Sequence, residues 1–402
     1  MKNFIMKTNF VLIDIESDWK NLLPLTYFIE ISNIPVGIIK IKLKWERYLR
    51  LSSCTSAVYY LKNNERSCVS NLFIRSSLLP DSTLVSSIKQ LKGNECLTDK
   101  EGNWLACKTA GLISAEVFRR QLALHAFEEQ IYPHSPVRLT RSWDLILQNE
   151  NEIRKDFELL RLPHSKIAGK RIEIEGDFPV YISPESSVDS VFIDASEGPV
   201  YIEKSVKIMP YSYIKGPVAI MEGSVIKAGT RIYNGTRVGP VCKMGGEVKN
   251  VLFFGFSNKA HDGYLGDSVI GEWCNLGAGT SNSNLKNNYS SIKMWHIAGK
   301  KFENTGQMFL GTVMGNYSKT AINSRLNTGT VIGVSSNIFI PDFPPKFVNS
   351  FNWGGKSGTF DYEFDKALQT AETVWARRGR IFDRHQKDLF KQVFEFARQM
   401  EL

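Results

Sequence analysis

From Ile202 an aliphatic side chain returns at every sixth position: Ile202, Ile208, Ile214, Ile220, Ile226, Ile232, Val238 and Met244. Two positions before each stands a small or β-branched residue: Val200, Val206, Ser212, Val218, Ser224, Thr230, Thr236 and Cys242. A period of six fits neither the 3.6 of a helix nor the 2 of an ordinary strand. It predicts short flat strands joined by tight corners, three to a coil of 18 residues, with Ile202, Ile220 and Val238 stacked as one apolar ladder. A single coil cannot bury its inner face, so stability is shared along the axis. An antiparallel β-protein with regular turns is the competing reading, but its spacing drifts where this one does not.

The phase then slips. Ile270, Leu276 and Asn282 keep step with one another but stand two positions off the earlier set, which predicts a loop projecting between Phe256 and Tyr264. A polar excursion with its own strand near 291–297 follows, and the period returns through Leu310, Ile322, Thr328 and Val334. Before about residue 165 the texture differs: an apolar strand at 9–13 and helical periodicity around 112–130 indicate an α/β domain. Residues 361–400 read as a long helix with Phe364, Leu368, Ala371 and Trp375 on the side that packs. The predicted domains are therefore 1–170, 180–350 and 360–400.

Composition narrows the classes. The 402 residues allow two or three domains, and 43% hydrophobic with 23% charged residues excludes wholesale disorder and collagen. Fifty Lys plus Arg against 41 Asp plus Glu leave a charge of +9, which favours phosphorylated small molecules without requiring nucleic acid. Part of that surplus lies in Arg377, Arg378, Arg380, Arg384 and Lys387. The longest apolar cluster, 251–256, falls far short of the roughly 18 residues of a membrane span, and no cleavage site follows Lys2 and Lys7. The six cysteines form no C-x-x-C motif, so reduced thiols and a cytoplasmic setting are expected.

The six-residue period resembles the hexapeptide, left-handed β-helix family of acyl- and acetyltransferases, whose members act as trimers. Within it, Ala260 to Asp267, Val269-Ile270-Gly271 and Cys274 to Thr280 resemble the acetyltransferase half of the bifunctional enzyme that makes UDP-N-acetylglucosamine. The resemblance implies that His261 is the general base that deprotonates the 2-amino group of glucosamine-1-phosphate for attack on acetyl-CoA. A histidine titrating near neutrality suits that task, because an ammonium is not a nucleophile. It further implies Arg231 and Lys249 on the sugar phosphate, stacked one coil apart, with Tyr264 and Asn275 on the sugar. Asn284 would orient the acyl group, and Ala278, Thr312 and Thr328 would line the acetyl-CoA cleft of a homotrimer. Leu285 replaces the family's tyrosine, and Ser290 its lysine, for which Lys286 or Lys293 could substitute.

In the first domain, Leu22 to Thr26, Pro35 to Ile38, Lys44-Trp45-Glu46 and Arg141 to Leu145, with Asn149, Asp156 and Phe157, resemble the nucleotidyltransferase domain of a bacterial (Bacteroidetes-type) variant of the same enzyme. Its activity would use UTP and Mg²⁺. No Gly-rich loop with a basic residue follows the first strand, and Tyr27 to Glu30 and Pro35 lack the cations such a loop needs. Two readings of this domain stay open, an altered uridylyltransferase and a degenerate domain kept for packing. Asp144 and Asp156 are its metal candidates, with Asp156 expected on an exposed helix face. For the whole chain the alternatives are a nucleotidyltransferase whose solenoid only oligomerises it, and a degenerate sugar-nucleotide-binding protein.

Overall fold

A computed structural model describes residues 6–64, 68–163, 171–355 and 358–401. The chain divides into two compact units, one holding most of the residues up to Arg141, the other holding 23–28, 36–38 and everything from Ser142. The expected boundary at residue 170 lies outside the described residues.

The first unit is built on a mixed sheet. Phe10–Ile13, buried at every position, lies between the parallel strands Ser53–Ser56 and Cys68–Arg75. Cys68–Arg75 continues antiparallel to Trp104–Ser114, then come Glu95–Thr98 and Glu128–Ile131. The helical pattern around 112–130 resolves into the helix Ala115–Ala123 between two strands. Its Phe118 stacks on Phe73 with ring centroids 4.2 Å apart, a burial contact across the sheet face. The expectation of six reduced thiols is corrected here: Cys54 is bonded to Cys68 and Cys96 to Cys107. The second pair arises because the antiparallel register sets Cys96 opposite Cys107, which spacing along the chain does not reveal.

The second unit is a parallel β-solenoid. One face stacks Ile172–Glu175, Val191–Asp194, Tyr213–Lys215 and Arg231–Tyr233; a second stacks Val180–Ile182, Val200–Ile202, Val218–Ile220 and Thr236–Val238. A third stacks Lys207–Ile208, Val225–Ile226, Lys243–Met244, Asn258–Lys259, Asn275–Leu276 and Lys319–Thr320. The predicted ladder forms as read: Ile202, Ile220 and Val238 are in register and fully buried, and Ile270, Met314 and Ile332 extend the same core.

The period changes earlier and differently than the sequence suggests. Arg231 pairs with Glu247, sixteen residues on, and Lys243 with Asn258, fifteen on; Asn258 then pairs with Asn275, seventeen on. No loop projects between Phe256 and Tyr264, because Asn258–Lys259 is a strand of the third face. The large insertion is the later one. It spreads Asn275 and Lys319 to adjacent coils, is closed by a bridge between Leu285 and Phe309, and contains the hairpin Lys293–His296 with Lys301–Asn304.

The C-terminal helix runs in two segments, Phe364–Ala376 and Arg384–Glu401. They pack on an aromatic corner of the solenoid. Phe256, Trp273, Tyr317 and Phe351 hold left-handed φ values of 53, 62, 64 and 51°. That conformation costs about 1 kcal/mol or more for each non-glycine residue. The rings recover it by stacking: Phe256 on Trp273 at 4.4 Å and Trp273 on Trp375 at 4.8 Å, with Phe390 against Tyr317 and Phe351 at 5.5 Å each.

Candidate functional site

The short coils bring chemistry to one corner. His261 stands exposed between Asn258–Lys259 of the third face and Tyr264–Glu272, which opens on the first face. Its segment is held from inside. Lys259 points into the solenoid at a ladder position between Met244 and Leu276, is 1% exposed, and spends its ammonium on backbone carbonyls. Its Nζ donates to Gly245 O at 3.1 Å and to His261 O at 2.8 Å. Burial pushes the Lys259 ammonium down to about 8, with Asp262 opposing.

On the adjoining first face lie Arg231, Lys249 and Tyr264. Arg231 and Lys249 are both exposed, but they do not stack: Arg231 stands opposite Glu247 and Lys249 opposite Tyr233. The cause is the sixteen-residue coil, two shorter than the 18 that stacking needs. Arg231 instead forms an ion pair with Glu247, Nη2 to Oε2 at 3.2 Å, an exposed contact contributing at most about 1 kcal/mol and readily exchanged for another anion.

Tyr264 lies back over Gly266, where any side chain would collide with its hydroxyl, and Oη accepts a 3.0 Å hydrogen bond from Asn284 Nδ2. Burial, then the charge of Asp267, pushes the Tyr264 phenol up to about 12, so it remains a neutral donor at physiological pH. Asn284 also donates to Asp267 Oδ2, whose other oxygen accepts from Asn250 Nδ2 at 2.7 Å. Asn250 and Asp267 both sit at corners with φ near 50° (51 and 47°), so a polar chain of Asn250, Asp267, Asn284 and Tyr264 follows the corner between the first and second faces. With each amide and carboxylate engaged, rotamers are fixed before a ligand arrives.

The remaining sequence-predicted residues lie elsewhere on the unit. Asn275 is exposed on the third face, beside Asn258, rather than with Tyr264 on the first. Ala278 is at the corner after Asn275–Leu276, and its carbonyl accepts from Asn323 N at 2.7 Å. Thr312 opens a second-face strand, is buried, and has an Oγ1 with no hydrogen-bond partner; Thr328 is buried at a corner after Arg325–Leu326. Lys286 donates to Ser291 O at 2.6 Å, while Lys293 is exposed on the hairpin. Sequence reasoning missed Lys259, Glu247, Asn250 and Asp267. Lys259 stands fifteen residues after Met244 and seventeen before Leu276, on neither six-residue frame, so the period carried no signal for it.

The first unit presents a different picture at the carboxyl ends of its parallel strands, the usual ligand edge of such sheets. Asp14, just past Phe10–Ile13, is fully buried; its Oδ2 accepts from Ile31 N at 3.1 Å. Burial pushes its carboxyl up to about 7. Arg119 fills the same edge, donating to Asp14 O at 2.9 Å and to Ser56 O at 3.0 Å. Asp18 is bound by Arg75 at 2.6 and 2.7 Å and by Ser77 at 2.6 Å. Among the described residues no group of three or more His, Cys, Asp or Glu could hold a metal ion. A lone buried Asp14 and an arginine-bound Asp18 do not offer the several solvent-facing oxygens that Mg²⁺ takes.

Asp156, expected on an exposed face, is 1% exposed, and this corrects both that placement and its candidacy for metal. In the solenoid unit its Oδ2 accepts from Ile38 N at 2.8 Å, while Asn149 Oδ1 accepts from Gly37 N at 2.8 Å. Gly37 needs its φ of 73° and has Asp156 Oδ2 only 2.6 Å from where a Cβ would stand. The pair clamps residues 36–38 to the helix Asp144–Leu160. Tyr27, noted for lacking charge, donates to Glu401 Oε1 at 2.8 Å.

Residues 10–164 match the family model described as sugar nucleotidyl transferase, and residues 199–234 match that of the bacterial transferase hexapeptide (six repeats). A bifunctional sugar-1-phosphate nucleotidylyltransferase/acetyltransferase of Sulfurisphaera tokodaii is 34% identical over 158 residues, 34% of this chain and 37% of that protein. A bifunctional protein GlmU of Methanocaldococcus jannaschii is 35% identical over 94 residues, 23% of this chain and 22% of its own length. One from Acidithiobacillus ferrooxidans is 40% identical over 85 residues, 21% and 18%. The chain thus spans well under half the length of the curated relatives it matches. Its first part is thus similar to sugar nucleotidyl transferases, and its solenoid to the bacterial transferase hexapeptide repeats.

Proposed function

We propose that the solenoid unit transfers the acetyl group of acetyl-CoA to the 2-amino group of glucosamine-1-phosphate. His261 takes a proton from the substrate ammonium, the freed amine attacks the thioester carbonyl, and the C–S bond breaks as the tetrahedral adduct collapses. The imidazolium then protonates the departing thiolate, which restores the base, and the second proton of the attacking nitrogen leaves to solvent as the neutral amide forms. Arg231 and Lys249 hold the sugar phosphate, the anion displacing Glu247 from Arg231. Tyr264 and Asn275 contact the sugar, Asn284 the acyl oxygen, and Ala278, Thr312 and Thr328 the coenzyme. The observation that carries this reading is the exposed His261 beside a face whose Tyr264 and Asn284 are fixed by one hydrogen-bonded chain.

Asn275 and Tyr264 stand on different faces of one solenoid, which a site assembled between copies of the chain accommodates; we therefore propose a homotrimer. Acetyl-CoA and sugar phosphates are metabolites of the cytoplasm, and the reading puts the protein there. For the first unit, UTP and Mg²⁺ are the co-substrates its family implies. The buried Asp14 and the Arg119 side chain at the strand ends support weak or absent nucleotidyl transfer.

The test supplies acetyl-CoA and glucosamine-1-phosphate to the purified chain and follows free thiol. Release by wild type that falls at least a hundredfold in His261→Ala is expected. Equal release by both proteins refutes the assigned base. Pyrophosphate release from UTP, Mg²⁺ and N-acetylglucosamine-1-phosphate would overturn the reading of the first unit.

A further inference from the structure

A second concentration of charge lies around the corner from His261, on the third face. There the register sets Lys243 opposite Asn258, Asn258 opposite Asn275 and Asn275 opposite Lys319, a ladder with a cation at each end. Arg377 and Arg378, at the end of the helix Phe364–Ala376, form the facing wall. Between them is a cavity of about 450 Å³, within the range of small-molecule sites. Four cations line it and no carboxylate does.

Two of the four are held by neutral groups only. Arg378 Nη2 donates to Asn258 Oδ1 at 2.8 Å, and Lys319 Nζ to Tyr317 O at 2.8 Å. The Lys243 and Arg377 side chains have no hydrogen bond or ion pair among the described residues. Burial holds the Lys319 ammonium below its ordinary range, the mark of a cation that lacks compensation. The carboxyl end of the helix opposes an anion here with only about half a negative charge, against four full positive ones. Arginine forks paired with flexible ammoniums on one concave wall match phosphate oxygens in geometry as well as sign.

We propose that this cavity, lined by Asn275 but by neither Arg231 nor Lys249, binds a phosphorylated small molecule carrying at least two negative charges. The basic C-terminal segment, which the acetyl-transfer reading leaves unused, supplies half of its cations. A ligand here bridges the solenoid and the helix, so occupancy stiffens the attachment of the C-terminal segment.

Isothermal calorimetry on the full chain with inorganic pyrophosphate tests this. Lys243→Gln combined with Arg377→Gln is compared with wild type and with Arg231→Gln combined with Lys249→Gln. Binding weakened at least tenfold in the first pair and retained by the second is expected. Equal affinity in all three proteins, or no binding by wild type at millimolar pyrophosphate, overturns the site. Lys243→Gln alone, at an exposed position, repeats the measurement should the double variant fold poorly. UTP, coenzyme A and a sugar 1-phosphate then compete with pyrophosphate: displacement by one of them identifies the source, and displacement by none overturns the assignment to a phosphorylated metabolite. The outcome is independent of His261, whose thiol-release assay can fail or succeed on its own.

Discussion

Replacing Lys259 by methionine measures what it costs to keep a charge inside the aliphatic ladder. Its neighbours above and below are Met244 and Leu276, so the substitution matches the site in length and in kind. A fall from the ordinary 10.5 to about 8 corresponds to about 3 kcal/mol of preference for the uncharged amine in the fold. The unfolded chain keeps its proton up to 10.5 while the folded chain releases it near 8, so between these values the unfolded state binds more protons. Wild-type stability therefore rises with pH across that window, and the gain is lost as pH falls through 8. At pH 7 methionine removes the whole cost but leaves the Gly245 and His261 carbonyls without their donor, a loss of about 1 kcal/mol each. The variant should be about 1 kcal/mol more stable than wild type at pH 7 and about 1 kcal/mol less stable by pH 10. Urea unfolding of both proteins at pH 7, 8, 9 and 10, read as the difference at each pH, cancels the groups they share. A difference that stays constant within about 0.5 kcal/mol across the series refutes a buried, charged Lys259.

Two other substitutions probe the corner and the first unit. Gly266→Ala places a methyl where the Tyr264 hydroxyl lies and breaks its bond to Asn284; an increase of about tenfold in KM for the sugar phosphate, with an unchanged circular dichroism spectrum, is expected. Asp14→Asn keeps an acceptor for Ile31 N but cannot ionise. Because the folded carboxyl titrates near 7 rather than 3.8, wild-type stability is fully present below 3.8 and declines as pH rises through 7. The variant's advantage over wild type should therefore be larger at pH 8 than at pH 5, by about 3 kcal/mol in urea unfolding. An equal difference at both pH values would show that Asp14 is ionised throughout.

The parts legible in the sequence are those where one residue's role repeats. Ile202, Ile220 and Val238 each occupy the same slot in successive coils, so their spacing alone discloses the ladder. The candidate site is read from His261 and its flanking residues, which form one continuous segment. What escaped depended on pairs distant in the chain. Arg231 and Lys249 are one nominal period apart, yet the coil between them is short, and a charged Lys259 disguised the ladder position that would have revealed it. Asp156 follows a pattern consistent with a solvated helix face until residues 36–38 arrive to cover it. The cysteine pairing depends on which strands become neighbours, information that no local window contains.

The unequal coils also bear on how the chain finds one folded frame. A strictly periodic solenoid is ambiguous, since a segment displaced by one whole coil meets the same aliphatic side chains and hydrogen-bonding groups it would meet in place. Here the steps of sixteen, fifteen and seventeen residues at Arg231, Lys243 and Asn258 act as an index mark. A displacement by one coil would carry Lys259 away from the Gly245 carbonyl and strand its ammonium among aliphatic side chains. The charge that weakens the ladder at neutral pH thereby penalises every shifted alignment, and this stretch of short coils serves as an origin of numbering for the repeat.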